Sequence, residues 1–352
     1  MCANRAVIVL LMMVSGPMCF AETNRAVQSS ATIHQTTADL LAGISKGVAY
    51  SGFRQGQHPD RGDGAANPSD SEILEDLRIL ARNSNFGLIR LYDSQTNSAA
   101  VLRLIKANKI NLKVMLGAWI SAEISNPNCS WLKTPIPQAT LDANRIKNQK
   151  EIECAIRLAK EYPEIVVAVN VGNEALVDWT DHLVSRESMI SYVRQVKRAI
   201  RQPVTVADNY AWWIKEGPPL ASELDFVTVH TYPAWAHKDI DEALPYSIEN
   251  LEGVHAALPR SRIVIGEAGW PSVASEFGKR ANEANQKRYV NELMAWAIRN
   301  NITTFIFEAF DEDWKGESSD PLGAEKHWGL FTVDRKAKLV MQELYPDLAP
   351  RK

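Results

Sequence analysis

The sequence predicts an α/β protein that folds as a single (β/α)8 TIM barrel. Short apolar runs rich in β-branched residues alternate with amphipathic segments along the 352-residue chain. There are eight such runs, and they are almost continuously apolar, as is typical of parallel strands that are buried on both faces. A doubly wound open sheet is the alternative, but the glycine-rich phosphate loop that often accompanies it is missing from the sequence.

The eight predicted strands are spread over residues 43–346, which we take as one catalytic barrel without an internal linker. They lie in residues 43–50, 87–93, 111–120, 165–174, 203–210, 225–233, 262–271 and 302–312. A polar lead-in, 22–42, precedes the barrel, and a short tail, 347–352, follows it.

The segments between the strands carry apolar side chains at helical spacing. Ser69 and Ser185 are suited to cap the first and fourth of these helices. Gly217, Pro218 and Pro219 leave room only for a short helix before the sixth strand. The clearest apolar stripes are Ile73, Leu77, Leu80 and Ala81; Ile152, Ala155, Ile156 and Ala159; and Tyr289, Leu293, Trp296 and Ala297.

The N-terminus has the order of a secretory signal peptide. Arg5 precedes an apolar core, residues 6–14, and small residues lead to Ala21, after which we expect cleavage. The apolar core is short for a membrane span, so we expect no stable membrane insertion after cleavage; an uncleaved anchor is the alternative. The sequence thus predicts an exported protein, either periplasmic or secreted.

Cleavage would remove Cys2 and Cys19 and leave two cysteines in the mature chain. Export makes a disulfide between Cys129 and Cys154 possible, and two unpaired thiols are an equally good interpretation. No cysteine or histidine spacing suggests a metal site, and we predict no cofactor. The charge is nearly balanced, with 39 Lys and Arg against 42 Asp and Glu, which argues against nucleic acid as a partner. The oligomeric state is not indicated.

Two apolar runs end in a carboxylate. IVVAVNVGNE ends at Glu174, and IVIGEAGWPS carries Glu267 directly after its apolar part. A charge at such a place costs free energy unless it is paired or solvated. Because the carboxyl ends of barrel strands meet at one face, we expect both glutamates at the rim of one cleft.

Two carboxylates surrounded by aromatic residues, with no metal ligands, are typical of glycoside hydrolysis. One carboxylic acid protonates the leaving oxygen, while the other carboxylate attacks the sugar or activates water. Arg90, at the end of the second strand, is placed to keep one of them ionised. Aromatic faces stack on sugar rings. The aromatic residues that we expect to bind substrate are Tyr50, Tyr92, Trp270 and Trp328.

The sequence also resembles family 17 glycoside hydrolases. VNVGNE and IGEAGWPS are similar to the two signature blocks of that family, and GVAYSG, IRLYDS, HTYPAW, FEAFDEDWK and HWGLFTVD occur in matching order over residues 43–346. The resemblance implies a (β/α)8 barrel that cleaves β-1,3-linked glucans, polysaccharide or oligosaccharide, with retention of configuration. Retention in turn predicts carboxyl groups about 5–5.5 Å apart.

The resemblance also implies roles for single residues. Glu174 would be the general acid and base, and Glu267 the nucleophile that forms a glucosyl–enzyme intermediate. Asn173 would bond the sugar 2-hydroxyl, and Tyr232 would orient Glu267. A supporting polar pair at the cleft would consist of Glu312 and Lys315.

Some positions depart from the plant members of the family. His230 stands where asparagine is common, and Asp313-Trp314 replaces Asn-Gln. The long loop after the first strand is closer to bacterial members, some of which transfer glucosyl units. A β-glucan transglycosylase that uses the same two glutamates is therefore the alternative to a hydrolase. A non-catalytic glucan-binding barrel is a second alternative, which the intact glutamate pair disfavours.

Overall fold

We describe a computed structural model of the chain, which covers residues 33–36, 40–60 and 64–350. The predicted signal peptide, 1–21, most of the lead-in, 22–42, and the last two residues of the tail lie outside the described residues.

The described residues form a closed barrel of eight parallel strands in the order β1 to β8. This confirms the predicted (β/α)8 fold, and each strand lies within one of the eight predicted runs. The strands are β1 (Lys46–Ala49), β2 (Leu88–Arg90), β3 (Lys113–Ala118), β4 (Val166–Asn173), β5 (Val204–Asn209), β6 (Val227–His230), β7 (Ile263–Ala268) and β8 (Thr304–Ile306).

Helices connect successive strands on the outside of the barrel. Ser69 caps the first one in a reciprocal capping box with Glu72, and Ser185 accepts from the backbone N–H of Ser188, as predicted. The connection from β5 to β6 contains only the two short helices α5 and α6. The helices are α1 (Asp70–Ala81), α2 (Thr96–Asn108), α3 (Gln138–Glu161), α4 (Arg186–Ala199), α5 (Tyr210–Glu216), α6 (Pro218–Ala221), α7 (Ile240–Ala257) and α8 (Glu283–Arg299).

The segment after β8 differs from the strict alternation that we expected. Up to residue 350 it contains no α-helix, but only turns, isolated bridges and two 3-10 helices, Ala324–Lys326 and Pro346–Leu348. Buried ion pairs hold it in place instead. Arg335 donates to the carboxylate of Asp76 at 2.7 and 2.8 Å, and Lys338 Nζ lies 2.7 Å from Asp311 Oδ1.

The core has two parts because successive strand residues point to opposite faces. Inside the barrel, a small cluster fills the end away from the strand C-termini; it contains Leu41, Leu88, Met115, Ala168, Phe226, Val264 and Phe305. The larger cluster lies mainly between the strands and the surrounding helices. None of the described helices is both long and apolar enough to span a bilayer.

Candidate active site

The end of β4 is irregular, and this brings two consecutive side chains to the same site. The pairing register of β4 with β5 shifts between Asn170 and Asn173, which is typical of a bulge. Within it, Gly172 has φ +77°, which favours glycine, and a Cβ there would meet Met189 Cε at 2.6 Å, so that the methionine side chain would have to shift. Glu174 follows in the left-handed region, with φ +47°. The strained turn aims both Asn173 and Glu174 at the centre of the barrel mouth.

Glu267 lies near the end of β7 and is only 5% exposed, so it is more deeply buried than a residue at the rim of a cleft. Its charge is accommodated by donors. Oε1 accepts from Arg90 Nη1 at 2.6 Å and from Tyr92 Oη at 2.9 Å, while Oε2 accepts from Tyr232 Oη at 2.5 Å. The ends of two strands besides β7, β2 and β6, therefore position this one carboxylate.

Glu267 is held ionised by its neighbours. Burial by itself raises the pKa of its carboxyl, but the charges of His230 and Arg90 and the hydrogen bond from Tyr232 outweigh it. The pKa falls from 4.5 to about 2. Burial and the charge of Glu267 raise the pKa of Tyr92 and Tyr232 well above the ordinary value, so both remain donors.

Arg90 links Glu267 to the end of β4, where Glu174 lies. Its second amino group, Nη2, donates to Asn173 Oδ1 at 2.5 Å. The bond occupies the amide oxygen of Asn173, and the NH2 group is that residue's remaining donor. Arg90 is fully buried, so the pair that it makes with Glu267 is dry.

His230, at the end of β6, joins the two glutamates directly. Its Nδ1 lies 3.0 Å from Glu174 Oε1 and 3.5 Å from Glu267 Oε2, and the side chain is fully buried. Its other nitrogen, Nε2, has no protein partner among the described residues and faces Gly266. In the sequence, His230 stood out only as a departure from the plant members of the family, and nothing there predicted its place between the two glutamates.

A second buried cluster lies in the segment after β8. Lys315 Nζ contacts Glu308 Oε2 at 2.5 Å and Glu312 Oε2 at 2.9 Å, so the predicted pair of Glu312 and Lys315 is in fact a triad. Burial raises the pKa of Glu308 well above its ordinary value although Lys315 opposes the rise. Two carboxylates share one ammonium group here, and the negative charge of Glu312 adds to burial in favouring the neutral form of Glu308. Glu312 Oε1 also accepts from the hydroxyl of Ser51 at 2.6 Å.

Glu325 is a further carboxylate near the site, and the sequence did not single it out. Burial raises its pKa; the charge of Lys315 opposes this, and the charges of Glu174 and Glu267 add to it. The only feature of the sequence that pointed to this region is the neighbouring block HWGLF, which is part of the family resemblance.

Three of the expected substrate-binding residues are not brought to the cleft surface. Tyr50 is 1% exposed, and its hydroxyl donates to Asp76 Oδ2 at 3.2 Å. Trp270 is also 1% exposed, because its ring lies against Tyr289 and its Nε1 donates to Arg280 O. Trp328 is fully buried behind Tyr232, with ring centroids 5.2 Å apart. Residues at strand ends are thus also used to support the site from behind.

Cys129 and Cys154 are free thiols. Cys129 is buried in the loop after β3, whereas Cys154 lies on α3 and its Sγ donates to Ser94 O at 3.0 Å. Of the two interpretations that the sequence left open, unpaired thiols describe this structure. Within the described ranges, no group of His, Cys, Asp and Glu side chains has the arrangement of a metal site.

Comparison with known proteins shows which family the chain resembles. The family model of the BtgE/BtgC glycoside hydrolase domain matches residues 47–329 of this chain. A probable glucan endo-1,3-beta-glucosidase, btgC of Aspergillus clavatus, is 26% identical over 297 residues, which cover 77% of this chain and 39% of that protein. The chain thus spans about two fifths of that relative. A glucan 1,3-beta-glucosidase of Schizosaccharomyces pombe is 26% identical, with 78% of this chain and 82% of that protein covered.

Among solved structures, an endo-laminarinase from Formosa Hel1_33_131 superposes with a TM-score of 0.73. It is 27% identical, and the match covers 89% of this chain and 90% of that one. A family 17 β-1,3-glucanosyltransferase from Rhizomucor miehei has the same fold, with a TM-score of 0.63, 23% identity and coverage of 84% and 95%. The resemblance to family 17 seen in the sequence is confirmed. The chain belongs to the BtgE/BtgC glycoside hydrolase family.

Proposed function

We propose that the chain is an exported retaining glycoside hydrolase that cleaves β-1,3-glucan. Glu267 acts as the nucleophile, and Glu174 acts as the general acid and then the general base. The observation that carries the proposal is the pair of carboxylates on the same nitrogen of His230, one of them held ionised by Arg90. Export rests on the signal-like pattern of residues 1–21.

The distances around His230 favour retention. Its Nδ1 lies 3.0 Å from Glu174 Oε1 and 3.5 Å from Glu267 Oε2. The sum of the two, 6.5 Å, is the largest separation that those carboxylate oxygens can have. Retaining enzymes have carboxyl groups about 5–5.5 Å apart, and inverting enzymes need about 6.5–9.5 Å to admit a water between them. For this pair of oxygens the bound admits the retaining spacing and meets the inverting range only at its lower end, which supports retention.

The first step uses the two oxygens of Glu267 differently. Oε1 is anchored by Arg90 and Tyr92, whereas Oε2 is on the side of Glu174 and is the oxygen that attacks the anomeric carbon. Glu174 protonates the glycosidic oxygen as its bond to that carbon breaks, and a glucosyl ester of Glu267 forms. In the second step Glu174 takes a proton from water, which attacks the same carbon and releases Glu267 as the carboxylate.

β-1,3-glucan is the substrate that the relatives support. Both curated relatives and the Formosa laminarinase carry names for enzymes of β-1,3-glucan. The neutral donors Tyr92, Tyr232 and Asn173 around the ionised nucleophile suit an uncharged sugar with several hydroxyl groups.

Transfer to a second sugar is the alternative outcome of the same chemistry. The second step needs only a hydroxyl group that Glu174 deprotonates, and a sugar hydroxyl serves as well as water. The fold shared with the Rhizomucor glucanosyltransferase supports this candidate. A barrel that only binds glucan would not need a strongly ionised Glu267 beside a second carboxylate.

A product profile tests the proposal. The mature protein is incubated with a linear β-1,3-gluco-oligosaccharide of defined length, and Glu267→Ala is run beside it. Shorter products whose new reducing ends first appear as the β-anomer by ¹H NMR support a retaining hydrolase, and longer products indicate a transferase. The parent protein binding the oligosaccharide without turning it over would contradict both.

A further inference from the structure

Two exposed tryptophans face each other on neighbouring loops at the mouth of the barrel. Trp131, in the loop after β3, is 52% exposed, and Trp179, in the loop after β4, is 38% exposed. Their ring centroids are 6.3 Å apart, and the ring planes are inclined by 51°, so neither ring covers the face of the other. We call this pair the tryptophan platform. Exposed aromatic surface costs free energy in water, and paired exposed rings offer a surface on which a ligand can stack.

Hydrogen bonds hold the platform in place. A hydrogen bond from His182 lowers the pKa of the Asp181 carboxyl. The side chain of Trp131 donates a weaker hydrogen bond to the same carboxylate and lowers this pKa further. His182 Nδ1 lies 2.7 Å from Asp181 Oδ1, and its Nε2 lies 2.7 Å from the carbonyl oxygen of Asn173. The ring of Trp119 also packs on the ring of His182, with ring centroids 4.6 Å apart.

The same bonds connect the platform to the catalytic strand end. The chain from Trp131 through Asp181 and His182 ends on the carbonyl of Asn173, the residue before Glu174. In a closed eight-stranded barrel β4 lies opposite β8, so the platform is across the mouth from the triad of Lys315. It is therefore on the side of the acid, where the leaving part of the substrate departs.

The charges around the platform select for a neutral ligand. Asp178 and Asp181 flank Trp179 in sequence, and both are exposed. Carboxylate oxygens at the edge of an aromatic face accept hydroxyl groups of a stacked sugar, and they repel anionic polymers such as nucleic acids or uronic acid chains.

We infer that Trp131 and Trp179 form a subsite that stacks a glucosyl ring of the leaving-group side of a β-1,3-glucan chain. The inference rests on the proposed function and extends it. A long substrate reaches the platform, and a short one does not. After the first step the same subsite also retains a sugar near Glu174, and so favours transfer to that sugar over attack by water.

The dependence of kcat/KM on chain length tests the inference. Linear β-1,3-gluco-oligosaccharides of increasing length are compared for the parent, Trp131→Ala, Trp179→Ala and the double variant. The ratio of kcat/KM for the longest to the shortest cleaved substrate should fall about three- to tenfold for each removed ring. Trp179→Tyr keeps an aromatic face and should restore most of the ratio. Ile298→Ala, an exposed apolar residue on α8, is the matched control.

The outcomes separate this inference from the proposed function. An unchanged ratio in the alanine variants, with normal turnover by the parent, overturns the subsite alone. An equal loss for all chain lengths also overturns it, because it shows a structural effect. No turnover of any β-1,3-glucan by the parent overturns the proposed function, and the subsite with it.

Discussion

Replacing Tyr232 by phenylalanine tests how Glu267 is kept ionised. The change removes one hydroxyl and leaves the ring against Trp328. Glu267 Oε2 then loses a donor at 2.5 Å, and because the carboxylate is only 5% exposed, water does not readily replace it. Oε1 keeps its bonds to Arg90 and Tyr92.

The size of the effect follows from the pKa of Glu267. A shift from 4.5 to about 2 corresponds to roughly 3 kcal/mol in favour of the ionised form. A hydrogen bond to a charged group contributes about 1.5–3 kcal/mol. We therefore expect Tyr232→Phe to raise the pKa of Glu267 by about one to two, to between about 3 and 4.

The assay is the pH dependence of kcat/KM on a β-1,3-gluco-oligosaccharide, whose acid limb reports the free enzyme's nucleophile. The parent should stay active as the pH falls towards 3, and the variant should lose half its activity between about 3 and 4. Stability follows the same sign. The ionised Glu267 stabilises the fold above its unfolded pKa, and this contribution is lost as the pH falls through about 2.

Tyr92→Phe is the matched control. It removes a hydroxyl from Oε1, which retains Arg90 Nη1 at 2.6 Å, so its acid limb should move less. Equal acid limbs for the parent and Tyr232→Phe, with Tyr232→Phe folded, would refute the assignment of Tyr232 as a donor to the nucleophile.

Three further substitutions test other parts of the site. Glu174→Gln should reduce hydrolysis of unactivated glucan by about 10²- to 10⁴-fold, and added azide should yield a β-glucosyl azide detectable by mass spectrometry; its absence would argue against the acid and base role. Lys315→Met should lower the free energy of unfolding by about 3–5 kcal/mol in urea because two carboxylates lose their cation, and Glu308→Gln added to it should restore part of the loss. Gly172→Ala should lower the free energy of unfolding by about 1–2 kcal/mol because of the left-handed backbone, and by a further amount because of a clash with Met189. Adding Met189→Ala should relieve only the clash. Full recovery of stability in the double variant would contradict the backbone argument.

The sequence was sufficient for the barrel and for its two carboxylates. Strands buried on both faces are read from continuous apolar runs, and a closed barrel brings their ends together. Their proximity was predictable from the sequence because such strand ends carry Glu174, Glu267, Arg90 and Tyr232.

The remaining features depend on packing between segments that are far apart in sequence. Whether Trp270 or Trp328 is exposed is decided by which loops cover the strand ends, and no periodicity reports that. Trp131 lies in the loop after β3, well past the end of that strand, so the strand pattern could not predict that its side chain is exposed. The contact of His230 with both glutamates depends on the register shift between β6 and β7. The missing last helix is replaced by ion pairs of Arg335 and Lys338, which leave no pattern in the sequence.

The bulge at the end of β4 has a consequence for how this site can be altered. On a regular strand, neighbours point to opposite faces, so each is exchanged independently of the next. Here Gly172 and the left-handed turn present Asn173 and Glu174 to one ligand as a rigid pair. Grafting the two residues onto the regular strand of another barrel would direct one of them into the wall. The transferable unit is therefore the irregular backbone together with its two side chains, and variation of the substrate range has more freedom in the loops.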